Sequence, residues 1–115
     1  MHEMGLLKSM LKTADSAIEG NLKDNEKIKK IVIEVGELTG AVPAYLQNAY
    51  GPLTEGTVYE GSSLEIIPVP GTVACKACGR EFEARKHDFK CPDCGGVDLR
   101  FVKGKDIIIR EIVVE

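Results

Sequence analysis

The sequence predicts an α+β chain, a small mixed sheet with two helices, interrupted late by an inserted module of different composition. Three observations predict this. Apolar residues recur at helical spacing at the start and in the middle of the chain, and runs rich in β-branched residues follow each of those stretches. All four cysteines fall between positions 75 and 94, ahead of a final β-branched run. A length of 115 residues suits one compact core plus a satellite too small to fold on its own apolar content.

Met4, Leu7, Leu11, Ala14 and Ile18 recur at steps of three and four, with Met10 and Ala17 widening the stripe. Residues 4–19 therefore read as an amphipathic helix, and Gly20-Asn21 supplies its stop. Lys29–Val35 reads as a strand, with Ile31, Ile33 and Val35 on one face and Val32 and Glu34 on the other. Gly36 and Thr39-Gly40 mark a turn, and Pro43 sits where a first helical position tolerates a missing N–H. Leu46, Ala49, Tyr50 and Leu53 continue at helical spacing, and Gly51-Pro52 is expected to end or kink that helix. A turn-rich connector, 56–61, leads to a second strand, Ser63–Val69.

At Pro68 and Pro70 the composition shifts toward Cys, Lys and Arg. Residues 71–104 then form the inserted module, and residues 1–70 with 105–115 form the α/β domain around it. The closing stretch, Lys105–Val114, holds Ile107-Ile108-Ile109 and Ile112-Val113-Val114. A run so rich in β-branched residues is apolar on both faces, and it must return to the first core's sheet.

Function is bounded by charge and by composition. A net charge of −3 and the absence of Trp argue against binding nucleic acid through bulk charge or stacking platforms. No apolar run is long enough to span a bilayer, and Met1-His2-Glu3 lacks the layout of a secretory signal, so a cytoplasmic chain with no membrane anchor is expected. There is no Gly-rich phosphate loop, no Ser-His-Asp arrangement and no His-Glu-x-x-His helix, and Glu34 and Glu37 read as a strand end and a turn. The chain does not read as an enzyme.

The strongest chemical signal is Cys75-Lys76-Ala77-Cys78, twelve residues, then Cys91-Pro92-Asp93-Cys94. Two residues between thiolates let one tight turn offer both sulfurs to a single ion, and the second pair completes a tetrahedron. Gly79 and Gly95-Gly96 follow the pairs, where positive φ can aim N–H groups at the sulfurs. This is a zinc-ribbon-like pattern, with Zn(II) the default ion of a closed, structural four-thiolate site. Iron in a rubredoxin-like carrier shares the same ligand set. The module's seven basic and five acidic residues leave +2, which four thiolates and one divalent ion cancel. The alternative reading, a zinc-ribbon binding module for nucleic acid or a protein complex, thus lacks a phosphate-binding footprint. His87, four residues before Cys91, reads as an exposed polar residue of the hairpin loop, with a role beside the metal as the second choice.

The other place where metal chemistry can gather is Met1-His2-Glu3. Initiator methionine is kept before a bulky residue, so Met1 should present a free α-amine that titrates near neutrality. His2 adds an amide nitrogen and an imidazole, closing consecutive chelate rings that suit planar Ni(II) or Cu(II) better than tetrahedral zinc. Glu3 can add a carboxylate or hold the imidazole.

Met1-His2-Glu3 opening an amphipathic helix, Ile33-Glu34-Val35-Gly36-Glu37-Leu38-Thr39-Gly40, Gly56-Thr57, Leu64-Glu65-Ile66 and the two cysteine pairs follow in this order. The ordered set resembles the HypA/HybF family of hydrogenase-maturation nickel metallochaperones over essentially the whole chain. The resemblance implies a nickel-binding α/β domain with a zinc domain inserted before the last strand. It implies transient Ni(II) cargo at Met1, His2 and Glu3, and structural zinc at Cys75, Cys78, Cys91 and Cys94. The implied partners are the accessory GTPase HypB and the large subunit of a [NiFe]-hydrogenase, with urease accessory proteins for some members. Two positions depart from the family pattern: Gly5 replaces a small polar residue, and no histidine follows Cys94.

Overall fold

A computed structural model describes residues 2–115, apart from the His2 side chain. Helix α1 (His2–Ile18) begins two residues before the apolar stripe and ends one residue short of the expected last residue, 19. Its stripe buries Leu7, Met10 and Ala14, each worth about 1–3 kcal/mol of apolar burial according to size. Gly20, at φ +78°, turns the chain out of the helix.

Strand β1 (Ile28–Gly36) is the centre of the first sheet. A single turn of 3-10 helix, Glu37–Thr39, follows it. Helix α2 (Pro43–Thr54) then supplies the crossover that parallel strands require, because β2 (Ser63–Val69) pairs parallel to β1. Pro43 opens α2, as its missing N–H allows. Of the two outcomes expected at Gly51-Pro52, an end or a kink, the end is corrected: α2 runs through both residues to Thr54. Pro52 forfeits only one intrahelical donor this close to the end. The last turn is held by buried Tyr50 and Thr54, whose hydroxyl donates to the Tyr50 carbonyl at 2.8 Å.

β6 (Ile107–Val114) returns antiparallel to the other edge of β1, giving the order β2-β1-β6. The alternation in β1 is as the sequence suggests. Ile31, Ile33 and Val35 join the core beneath the helices with Leu46, Tyr50 and Leu64, while Val32 is buried on the opposite face. The connector between α2 and β2 also feeds this core. Tyr59 is only 3% exposed and its hydroxyl donates to Asp15 Oδ1 at 2.7 Å.

Residues 72–103 build a second sheet, order β4-β3-β5, from β3 (Thr72–Cys75), β4 (Glu81–Glu83) and β5 (Leu99–Lys103). Its core is small: Val73, Phe82 and Ala84 beside Cys75 and Cys91. Two small cores make an elongated molecule, 58 × 26 × 17 Å.

The two sheets meet at a tight crossing of glycines. A Cβ on Gly36 would lie 2.1 Å from the Gly104 carbonyl oxygen, and one on Gly104 would lie 2.5 Å from the Pro70 oxygen. The Leu38 N–H donates to the Gly104 carbonyl at 2.8 Å, and the Gly71 N–H donates to Glu37 Oε1 at 3.2 Å. Leu38 itself packs into the second core, so a residue from the first half fills the module that the insertion brings.

Candidate metal centres

Each cysteine pair sits on a tight turn, the first leaving the end of β3 and the second lying between a 3-10 turn, Arg85–His87, and β5. Cys75 closes β3, and Gly79 at φ +83° folds the chain back so that its N–H donates to the Cys75 carbonyl at 2.8 Å. Gly95 at φ +76° repeats the turn after the second pair, its N–H donating to the Cys91 carbonyl at 2.9 Å. Only glycine adopts such φ values without strain. A Cβ at Gly96 would stand 3.1 Å from Cys75 Sγ, so the second glycine leaves room for sulfur. The Arg80–Asp93 ion pair at 2.8 Å ties one turn to the other.

These turns bring the four Sγ atoms within 4.8 Å of one another. Cys75 and Cys94 are 3.5 Å apart, as are Cys78 and Cys91. Cys75 and Cys91 are buried, whereas Cys78 and Cys94 are exposed. The backbone divides the sulfurs in the same way. The Cys78 N–H, and secondarily that of Ala77, holds the Cys75 thiol below its ordinary value. The Cys94 N–H, with that of Asp93, holds Cys91 down at about 7. Cys78 and Cys94 each receive one N–H, from Arg80 and Gly96, which lowers them. The neighbouring sulfurs outweigh that help, leaving Cys78 raised and Cys94 at about 12.

The chemistry of this donor set fits one tetrahedral divalent ion. The N–H groups aimed at Cys75 and Cys91 favour their thiolate forms, and all four sulfurs are soft donors whose protons a divalent ion would displace. Four thiolates fill a tetrahedron, the arrangement of a structural centre. His87 is exposed, its ring edge-on to Phe82 at 5.7 Å, in keeping with a loop residue.

Of the amino-terminal trio, Met1 and the His2 side chain lie outside the described residues. Glu3 sits in the first turn of α1, and its Oε2 accepts the Val42 N–H at a long 3.4 Å. That contact draws the start of α1 toward the loop that opens α2, a link across 39 residues that no local sequence signal announces.

The model of a family described as hydrogenase/urease nickel incorporation, metallochaperone, HypA, matches residues 1–114. The chain is similar to the hydrogenase maturation factor HypA of Geobacter sulfurreducens, 34% identical over 115 residues with both chains fully covered. It is 35% identical over 113 residues to that of Francisella philomiragia, with 98% of each chain covered. Among solved structures, it is similar to the solution structure of the Ni metallochaperone HypA from Helicobacter pylori. That match has a TM-score of 0.73 at 19% identity and covers 98% of this chain and 97% of the other.

Proposed function

The chain belongs to the HypA family of hydrogenase maturation factors, metallochaperones and not catalysts, and from that premise we propose that it collects Ni(II) at its amino terminus and delivers it during maturation of a [NiFe]-hydrogenase. The observation that carries this reading is the family match beginning at residue 1, so that Met1-His2-Glu3 lies inside the matched stretch.

The amine of Met1, the amide and imidazole of His2, and Glu3 supply the nickel donors. Glu3 is held by one long hydrogen bond to an exposed loop, a contact worth little in water and easily released. A few nitrogen donors at a chain end suit a carrier, which must surrender its ion. Protonation of the amine or imidazole provides one way to do so. Cys75, Cys78, Cys91 and Cys94 hold zinc, which folds residues 71–104 as a domain beside the one formed by 1–70 and 105–115. Two sheets with separate small cores support that division.

HypB and the hydrogenase large subunit are the partners this reading requires, with urease accessory proteins a second outlet for the same cargo. No helix among the described residues is long and apolar enough to cross a membrane. Four thiols kept available for metal belong in a reducing cytoplasm.

Calorimetric titration of Ni(II) into the chain starting at Met1, into His2→Ala and into a form with residues added before Met1 tests the site. Both variants should bind at least about tenfold more weakly, since each removes donors from the chelate. Unchanged affinity in both would reject the amino-terminal site.

A further inference from the structure

Where β1 and β2 end side by side, the chain leaves a cleft of about 430 Å³. Gly36 and Val69, the last residues of the two parallel strands, are partners in register and both line it. The loop into α2 adds Ala41 and Val42, and the chain leaving β2 adds Pro70. The carboxyl ends of parallel strands are where open α/β sheets place small ligands, and this volume is in the range of such sites.

Few backbone donors remain along the cleft. Pro43, Pro68 and Pro70 carry no N–H. The N–H groups of Gly36 and Gly40 donate to the carbonyls of Asp106 and Glu37, that of Ala41 to the Thr39 hydroxyl, and that of Val42 to Glu3. A peptide laid here would leave its own carbonyls without partners. The cleft therefore suits a ligand recognised by charges at its ends and not along a main chain.

Two charged side chains of opposite sign line it, Glu37 and Arg85. Among the described residues, neither takes part in an ion pair, with the other or with any third group. Glu37 accepts the Gly71 N–H on Oε1 and keeps Oε2. Arg85 keeps a planar fork of donors that matches a carboxylate. One residue anchors both charges. The Gly71 N–H holds the Glu37 carboxylate, and the Gly71 carbonyl accepts the N–H of Ala84, the residue before Arg85, at 2.9 Å.

We infer that this cleft binds a free α-amino acid with an apolar side chain. Its ammonium group is taken by Glu37, its carboxylate by Arg85, and its side chain by Val42 and Val69. The site adjoins the amino-terminal donors without using them: Val42 lines the cleft while its N–H holds Glu3. The inference goes beyond the nickel reading and does not rest on it.

Titration of L-leucine into the zinc-loaded full chain, followed by amide chemical shifts, tests this. Shifts should gather at Ala41, Val42 and Val69, with a dissociation constant of about 1 mM, the scale of a small ligand held by exposed charges. Leucinamide lacks the carboxylate and N-acetyl-leucine lacks the ammonium group, and each should bind about fivefold more weakly. Arg85→Gln should abolish the preference for leucine over leucinamide. Glu37→Gln, which keeps an oxygen for the Gly71 N–H, should abolish the preference over N-acetyl-leucine. Both positions are exposed, so zinc content and far-UV dichroism should not change. Absence of shifts at those three amides up to about 20 mM leucine overturns the proposal. So does equal binding of leucine and both derivatives, or preferences that survive in both variants.

Discussion

Replacing Gly36 with Ala tests the crossing between the two sheets at its tightest point. Gly36 has φ −70°, which any residue adopts, so the effect of an added methyl is purely steric. The new Cβ would lie 2.1 Å from the Gly104 oxygen and 2.2 Å from its carbon, both backbone atoms. Restoring ordinary 3.4 Å contact requires the strand and its neighbour to part by about 1.3 Å. That separation strains two hydrogen bonds, Gly36 N–H to Asp106 and Leu38 N–H to Gly104. Losing both costs about 2 kcal/mol, and forcing the methyl in costs about 1–3 kcal/mol more. Removing a glycine from the unfolded chain returns about 0.5–1 kcal/mol. The net expectation is a loss of about 2–4 kcal/mol, read as a lower urea midpoint of the zinc-loaded protein. Gly5→Ala is the control: among the described residues, leaving aside its chain neighbours and the helix's own backbone, no atom lies within 4 Å of its added Cβ, and a gain of up to about 1 kcal/mol is expected from helix propensity. Equal midpoints for Gly36→Ala and the unaltered chain would refute the steric argument.

Other substitutions probe the two cores separately. Cys91→Ala should leave less than one zinc per chain and unfold residues 71–104 while α1 and the first sheet persist, as metal analysis with amide exchange would show. Because Cys78 and Cys94 are raised above the ordinary thiol value, zinc uptake near neutral pH must expel their protons, so affinity should rise with pH. Calorimetry in buffers of different ionisation enthalpy should count at least those two protons per ion. Burial, with help from Asp15, raises the Tyr59 phenol above 10. The folded state therefore holds that proton longer than the unfolded chain does. Its contribution is complete below about pH 10 and falls as pH climbs past it. Tyr59→Phe should lose about 1 kcal/mol at neutral pH, by loss of the Asp15 bond, and decline less steeply in alkali.

Much of this was legible because periodicity and spacing are local. The stripe of α1, the alternation of β1 and the cysteine pairs with their glycines all reduce to repeats of a few residues, and the structure places each accordingly. Whether the helix ends at Pro52 is not legible locally, because a proline's cost depends on how much helix follows it, and the burial of Tyr50 and Thr54 shows what holds the last turn. Tyr59 sat in a stretch read as mere connector. Its partner, Asp15, lies 44 residues away on the exposed side of a helical stripe. Leu38 enters the second core, and a leucine in a turn after a strand carries no local sign of which core it will join.

Leu38 also explains how a chain this small carries an insertion at all. The module leaves the first sheet at Pro70-Gly71 and returns at Gly104, and those backbones nearly touch. Ends already adjacent add little closure entropy to the surrounding sheet, because β2 and β6 flank β1 whether or not the module is ordered. Ordering the module is then a separate problem, met by the metal and by a core too thin to stand alone. A leucine side chain and a glutamate carboxylate, both from the turn after β1, reach across to join it. The orientation of the cysteine module therefore depends on how well Glu37-Leu38 fits between Gly71 and Gly104. A shortened side chain at Leu38 should therefore loosen the relative placement of the two sheets before it disturbs either one, a change that residual dipolar couplings across them would register.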